Sequence, residues 1–421
     1  MPSDWFDDGT TFSWASLVSG GSDKQFVRTG QTGTSPIDGT RTTYSATFSV
    51  SLLAYTGATS GQYSDPVTVS ARLTSDGSGV SGVTITFTIG TQSTTAETGS
   101  SGIASTTITL KQEEGDYTVT ASCAGADSTT LTALDDFTIN KETAYVEYTG
   151  DAGMVTVAAE RDTTRTVRVA AQVTQDDDGF DGDLTLMTLK FTIDGYDSGA
   201  HHYSDTVSGT PVNSAGQAVA FIDVPIGAYI ITVEIEDNSY WTYAEDENTI
   251  AICDFNPDGY VTGGGWIPSE DSINGKINFA FVVKYDKKGN SKGSFVAILK
   301  STDGFNYRIK STSWAQNKAD LTFGNTEKDG SGLPTACLRF GGIVQIIDRA
   351  TGEGTSWGGC QFIIDMTDGD YRLSQNGELD SIAITVVDNA GIVALQWGSN
   401  IHQIVIGGGN IVVAVSGNEK K

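Results

Sequence analysis

One pattern occurs twice in this chain and limits what it can fold into. The first copy runs Ser101-Gly102-Ile103-Ala104-Ser105-Thr106-Thr107-Ile108-Thr109-Leu110, then Glu114-Gly115-Asp116-Tyr117-Thr118-Val119-Thr120. The second runs Ser214-Ala215-Gly216-Gln217-Ala218-Val219-Ala220-Phe221-Ile222-Asp223-Val224, then Ile226-Gly227-Ala228-Tyr229-Ile230-Ile231-Thr232-Val233. Each reads as a turn glycine, an alternating segment, a short glycine turn and a strand opening on tyrosine. Alternation puts successive side chains on opposite faces of a strand, and a repeated unit means that one supersecondary arrangement is used more than once.

Matching strands lie upstream of each copy. Val67–Leu73 and Val83–Ile89 precede the first, and Val167–Val173 and Leu186–Ile193 precede the second. Phe137–Ile139 and Thr249–Ile252 close them. About seven short strands per unit, with turns every 8–12 residues, predict a two-sheet sandwich. Tyr117 and Tyr229 can serve as tyrosine-corner residues or as aromatics at the core edge. The 50 glycines supply turns and bulges, and no stretch shows a clean helical period. At 421 residues the chain holds several cores. The expected class is all-β: tandem Ig-like sandwiches plus a larger C-terminal β-sandwich domain. The expected modules are a small β domain over 1–62, Ig-like sandwiches over 63–143 and 144–256 (the latter with insertions), and a C-terminal all-β domain over 257–421.

The phrases Ser64-Asp65-Pro66-Val67-Thr68-Val69, Gly82-Val83-Thr84-Ile85-Thr86-Phe87, Gly102-Ile103-Ala104 and Gly115-Asp116-Tyr117-Thr118-Val119 resemble the bacterial Ig-like repeats of invasin-type surface proteins. The second unit resembles them more loosely and carries inserted residues, among them His201-His202. In such repeats the motif residues are structural, so the resemblance implies no active site. The segments Gly259–Ile267, Gly275–Tyr285 and Ile406–Val413 resemble an all-β domain that ends bacterial and archaeal secreted proteins after Ig-like repeats.

Charge narrows the partners. Lys+Arg 25 against Asp+Glu 52 gives −27, which repels nucleic-acid phosphate and anionic lipid. No apolar run is long enough for a membrane span. The opening Met1-Pro2-Ser3-Asp4 is unlike a leader, so either a leader has been removed or the chain is a segment of a longer protein.

Acidic loops are the first candidates for chemistry. Asp176-Asp177-Asp178-Gly179-Phe180-Asp181-Gly182-Asp183 is rich in carboxylates and lies between two expected strands. Hard oxygen ligands suit calcium, and Asp176, Asp178, Asp181 and Asp183 are the candidate ligands. The competing reading is a solvated loop tip. Asp254-Phe255-Asn256-Pro257-Asp258-Gly259 begins like a calcium loop but lacks the later acidic ligand, and marks a module boundary. His201 and His202 are adjacent, so on a strand they face opposite ways. Cys337 and Cys360 could bridge or stand as separate thiols. No nucleophile elbow or zinc spacing is present, and no catalytic residue is assigned. Chance pairing among 52 acids leaves a glycoside hydrolase as a remote alternative.

Trp266, Trp314, Trp357 and Trp397 fall in the last module. Exposed, they suit a sugar or polymer; alternation favours core packing for most. The expected function is non-catalytic: an extracellular or cell-surface structural or adhesive protein of a microbe, with no required cofactor and calcium as a candidate ligand of the acidic loop. Expected partners are copies of itself, other surface proteins or a polysaccharide. The strand-like segments Thr10–Trp14 and Asn410–Val415 suggest assembly by strand exchange at sheet edges.

Overall fold

Strand Pro66–Ser75 shows how the alternation works. Val67, Val69, Ala71 and Leu73 are buried while Thr68 and Arg72 face solvent. Burying alternate aliphatic side chains gives a sheet one apolar face, which must meet another sheet. The computed structural model describes residues 15–32, 45–125, 129–255, 260–285, 291–313, 321–324, 333–349, 351–369 and 379–414. Among these the chain is all-β. The helical exception is a 3-10 turn at Leu184–Leu186, and no helix is long and apolar enough to cross a membrane.

The repeated pattern becomes a repeated topology. In the first sandwich Ser45–Tyr55, Pro66–Ser75 and Ile103–Thr109 pair in that order in one sheet. The facing sheet runs Ser60–Gln62, Thr130–Asn140, Gly115–Ala124, Thr84–Ile89, Gln92–Glu97. The second sandwich repeats the scheme. Ala144–Tyr148, Thr164–Gln175 and Gln217–Pro225 form one sheet; Gly153–Thr156, Glu245–Cys253, Gly227–Ile235, Thr188–Asp197 and His202–Pro211 form the other. In both, the opening strand switches sheets, and its second half pairs parallel with the last strand. This is an Ig-like strand order. The first sandwich takes its opening strand, Ser45–Tyr55, from the stretch assigned to 1–62, and Lys24–Thr32 extends the same sheet.

The switch has its own sequence signature. Tyr55-Thr56-Gly57 and Tyr148-Thr149-Gly150 stand at equivalent corners. The Tyr55 hydroxyl donates to the Ala58 carbonyl at 2.6 Å, and the Tyr148 hydroxyl to that of Asp151 at 2.8 Å. A side chain on Gly57 would meet the Tyr55 hydroxyl at 2.5 Å, so glycine is required for the chain to turn beneath the ring. Of the two tyrosines read as corner residues or core-edge aromatics, Tyr117 donates to the Glu113 carbonyl at 2.9 Å. The Tyr229 hydroxyl is buried without a partner, its ring packed edge-on against Tyr203.

The described residues cluster into two compact units. The first comprises 1–144 with 175–183 and 238–242; the second comprises 145–174, 184–237 and 243–421. Two loops that belong by sequence to the second repeat are thus members of the first unit.

Among the described residues the C-terminal third is one eleven-stranded sheet, nine strands in a continuous path with Thr322–Gly324 and Ile404–Val405 paired beside it. It runs without a break from Val393–Trp397 through Ser381–Val387, Gly354–Thr367, Thr335–Asp348, Phe305–Ser313, Ser291–Ser301, Ser272–Tyr285 and Tyr260–Pro268 to Gly408–Val413. Its inward residues, from Val261 to Val413, meet in a single core. A sheet this large curls, so its two halves face each other as two sheets of a sandwich would. Gly408–Val413 pairs antiparallel with Tyr260–Pro268. On its other side the Ile411 and Val413 amides donate to the buried carboxylates of Asp380 (2.6 Å) and Asp368 (2.9 Å). The strand expected to be free for exchange, Asn410–Val415, is therefore held in its own sheet over 410–413, with these outer amides satisfied by side chains. The other segment named for exchange, Thr10–Trp14, lies outside the described residues.

Of the two alternatives for Cys337 and Cys360, a bridge or separate thiols, the structure has the second: both are free. Cys337 faces Asp365 across the ladder and Cys360 faces Gly342. That register offsets them by five residues, about 17 Å along the ladder at ~3.3 Å per residue, and a disulfide needs Cα atoms within about 7 Å.

Candidate metal centre

Three carboxylates from separated segments of the first unit converge. Ligand oxygens of Asp65, Glu142 and Asp178 all lie within 4.8 Å of one another. Each is positioned by its own local structure.

Asp178 belongs to the acidic loop. Its Oδ1 accepts from the Phe180 amide at 2.9 Å, and Gly179 takes a left-handed φ of 90° that completes the turn. Gln175 braces the loop: its Nε2 donates to Asp181 at 2.9 Å and its Oε1 accepts from the Gly182 amide at 3.0 Å. The Phe180 carbonyl accepts from Ser64 Oγ at 2.9 Å. Asp65 directly follows Ser64, which holds φ 72°, and precedes the Pro66 that opens a core strand. Glu142 is clamped by backbone: its amide donates to the Tyr240 carbonyl at 2.8 Å, and its carbonyl accepts from the Thr242 amide at 2.9 Å. Beneath them Trp241 is 1% exposed, with Tyr63 edge-on to its ring at 5.8 Å.

Glu142 is itself only 1% exposed. Burial, and then the charges of Asp178 and Asp65, push its carboxyl up to about 7. Burial, followed by the Asp178 charge, also raises Asp65. Ser64 Oγ donates to Glu142 at 3.4 Å, a long bond. Asp65 Oδ1 is buried with no hydrogen-bond partner. No basic side chain is among the groups that shift these two acids. Three acids and an orphaned buried oxygen fit a hard divalent cation, which would supply the missing positive charge and accept oxygen ligands in flexible geometry.

Of the four aspartates expected to act together, Asp178 alone joins this cluster; Asp181 is engaged by Gln175, and the Asp183 amide donates to the Tyr63 hydroxyl at 3.4 Å. Asp65 and Glu142 carried no local calcium signal. Their one hint was position: both are acids at the ends of the first repeat. His201 and His202 contact different carboxylates, Asp197 at 3.1 Å and Asp194 at 2.7 Å.

The tryptophans do not form one surface. Trp397 is a core residue, its Nε1 donating to Asp271 at 3.3 Å. Trp357 is exposed beside Tyr307. Trp266 is half-buried and lines a cavity of its own. Trp314 lies outside the described residues.

No family model and no curated protein matches the chain. Among solved structures it is similar to a tetra-tandem repeat from the extending region of a large adhesion protein, at 12% identity and TM-score 0.31, over 86% of this chain and 99% of that one. It is also similar to the Yersinia pseudotuberculosis adhesin InvE, at 13% identity and TM-score 0.31, over 58% and 70%. A Ca2+-stabilized ice-binding adhesin of an Antarctic bacterium aligns at 13% identity and TM-score 0.19, over 82% and 96%. At such scores none of these likenesses assigns the chain a role.

Proposed function

We propose that this chain is a non-catalytic, extracellular structural or adhesive protein of a microbial surface, and that a calcium ion at Asp65, Glu142 and Asp178 fastens the 175–183 loop to its sandwich. The observation that carries the reading is the convergence of three carboxylates, one of them with an orphaned buried oxygen, with no basic side chain among the described groups that shift Asp65 and Glu142. Such a site is destabilising when empty and stabilising when filled. A site of this kind, built from three acids, suits the 10⁻⁴–10⁻³ M affinities of extracellular calcium modules, roughly the concentration found outside cells. The architecture supports a mechanical role, because successive cores are built from long antiparallel ladders. A surface dominated by acids also favours solubility outside the cell.

The test is a thermal melt in EDTA and in millimolar calcium. The melting temperature rises with calcium in the natural chain and does not change in Glu142→Gln, because an ion that binds only the folded state stabilises it by mass action. An equal response in both proteins overturns the site. Antibody labelling of intact cells checks the location.

A further inference from the structure

Two glycine runs face each other in the C-terminal sheet. Gly264 pairs with Asn410, Gly265 with Gly409 and Trp266 with Gly408. Their lack of side chains has a use. The Trp266 indole lies on the Gly407–Gly408 backbone so closely that a Cβ on either glycine would enter the ring. Gly409 holds φ 108°, which disfavours any side chain. A Cβ on Gly264 would strike the Gly153 backbone.

Around this bare backbone is a cavity of about 430 Å³. It falls within the roughly 300–1,000 Å³ of small-molecule sites. Its walls carry Trp266, Lys276 and the amides of Asn248, Asn278 and Asn410. Among the described residues no carboxylate lines it, although the chain holds 52 acids. Lys276 forms no ion pair among the described residues. Asn278 is buried on the face of its strand opposite the core residues Ile277 and Phe279. Asn248 accepts from the Thr249 amide through Oδ1, so its Nδ2 donors remain for a ligand.

We propose that this cavity binds a carboxylate-bearing sugar, a uronic acid unit of a polysaccharide. The chemistry matches part by part. The indole offers an apolar face with an N–H at its edge for a pyranose ring. Three amides supply donors and acceptors for hydroxyls. Lys276 supplies the charge-assisted bond to the carboxylate. This deepens the adhesive reading by naming a ligand class, and it uses no residue of the metal centre.

Calorimetry on the full chain tests it, with oligogalacturonate and, as the neutral control, maltotetraose. Oligogalacturonate binds at least tenfold more tightly. Lys276→Gln abolishes that preference, and Trp266→Ala weakens both sugars at least tenfold. Because Trp266 also packs on glycine backbone, a second variant separates binding from folding: Asn410→Ala leaves that packing intact and weakens oligogalacturonate several-fold. Circular dichroism confirms the fold of each variant. No binding of either sugar, preference for the neutral one, or binding unmoved by Lys276→Gln and Asn410→Ala overturns the proposal. A calcium-dependent melt that persists in such a case leaves the metal reading standing.

Discussion

Gly182 lies flat against Trp241: a Cβ placed on the glycine would meet the indole at 2.7 Å, with the Tyr63 ring at 2.9 Å. The indole is buried and has no room to retreat. Gly182→Ala should therefore behave as an overpacked core, at a cost of about 1–3 kcal/mol. Since Gly182 also anchors the loop that carries Asp178, the variant should need more calcium for half-maximal stabilisation. Chemical denaturation across a calcium series checks both effects.

The raised Glu142 carboxyl has a signed consequence for pH. Its folded value is about 7 against an ordinary 4.5. The folded protein therefore binds this proton more tightly than the unfolded chain does. In EDTA that stability is fully present below 4.5 and is lost as pH rises towards 7. With saturating calcium the trend opposes this, because the ion requires the deprotonated acid. Melting temperature against pH, with and without calcium, should give curves that diverge across this window. Glu142→Gln should flatten the metal-free curve.

In the second unit Glu247 is 2% exposed and accepts from Arg308 Nε at 2.7 Å and Asn306 Nδ2 at 3.3 Å. Arg308→Met strands a buried carboxylate and should cost about 3–5 kcal/mol. The double variant Arg308→Met with Glu247→Leu should recover much of that, because it removes both buried charges. A double-mutant cycle by denaturant unfolding measures the difference.

Asp380 takes the Ile411 amide and, through its backbone carbonyl, the Ile406 amide. Asp380→Ala should cost about 1.5–3 kcal/mol, the range for hydrogen bonds to charged groups. It should also leave an unpaired amide on an edge strand, so sedimentation should show stronger concentration-dependent association than for the natural chain.

Local patterning determined much of this protein by itself. Period-two alternation marks Val67–Leu73 and Val167–Val173 as half-buried strands, and the glycine–strand–tyrosine signature marks a repeated unit, because both depend on the backbone and on the nearest side chains. The corners are not legible in this way: the pattern points to Tyr117 and Tyr229, whereas the sheet-switching corners lie at Tyr55-Thr56-Gly57 and Tyr148-Thr149-Gly150. Tertiary structure decided the rest. The acidic loop 176–183 is visible in the sequence, but nothing local shows that Asp178 meets Asp65 and Glu142 while Asp181 turns to Gln175. Nor does local pattern separate Trp397 in a core from Trp266 on a cavity wall; both sit in strands of the last sheet, and what packs against each strand places them. Carboxylates distant in sequence converge because loops from two repeats close on one unit, and that closure is set by long-range packing.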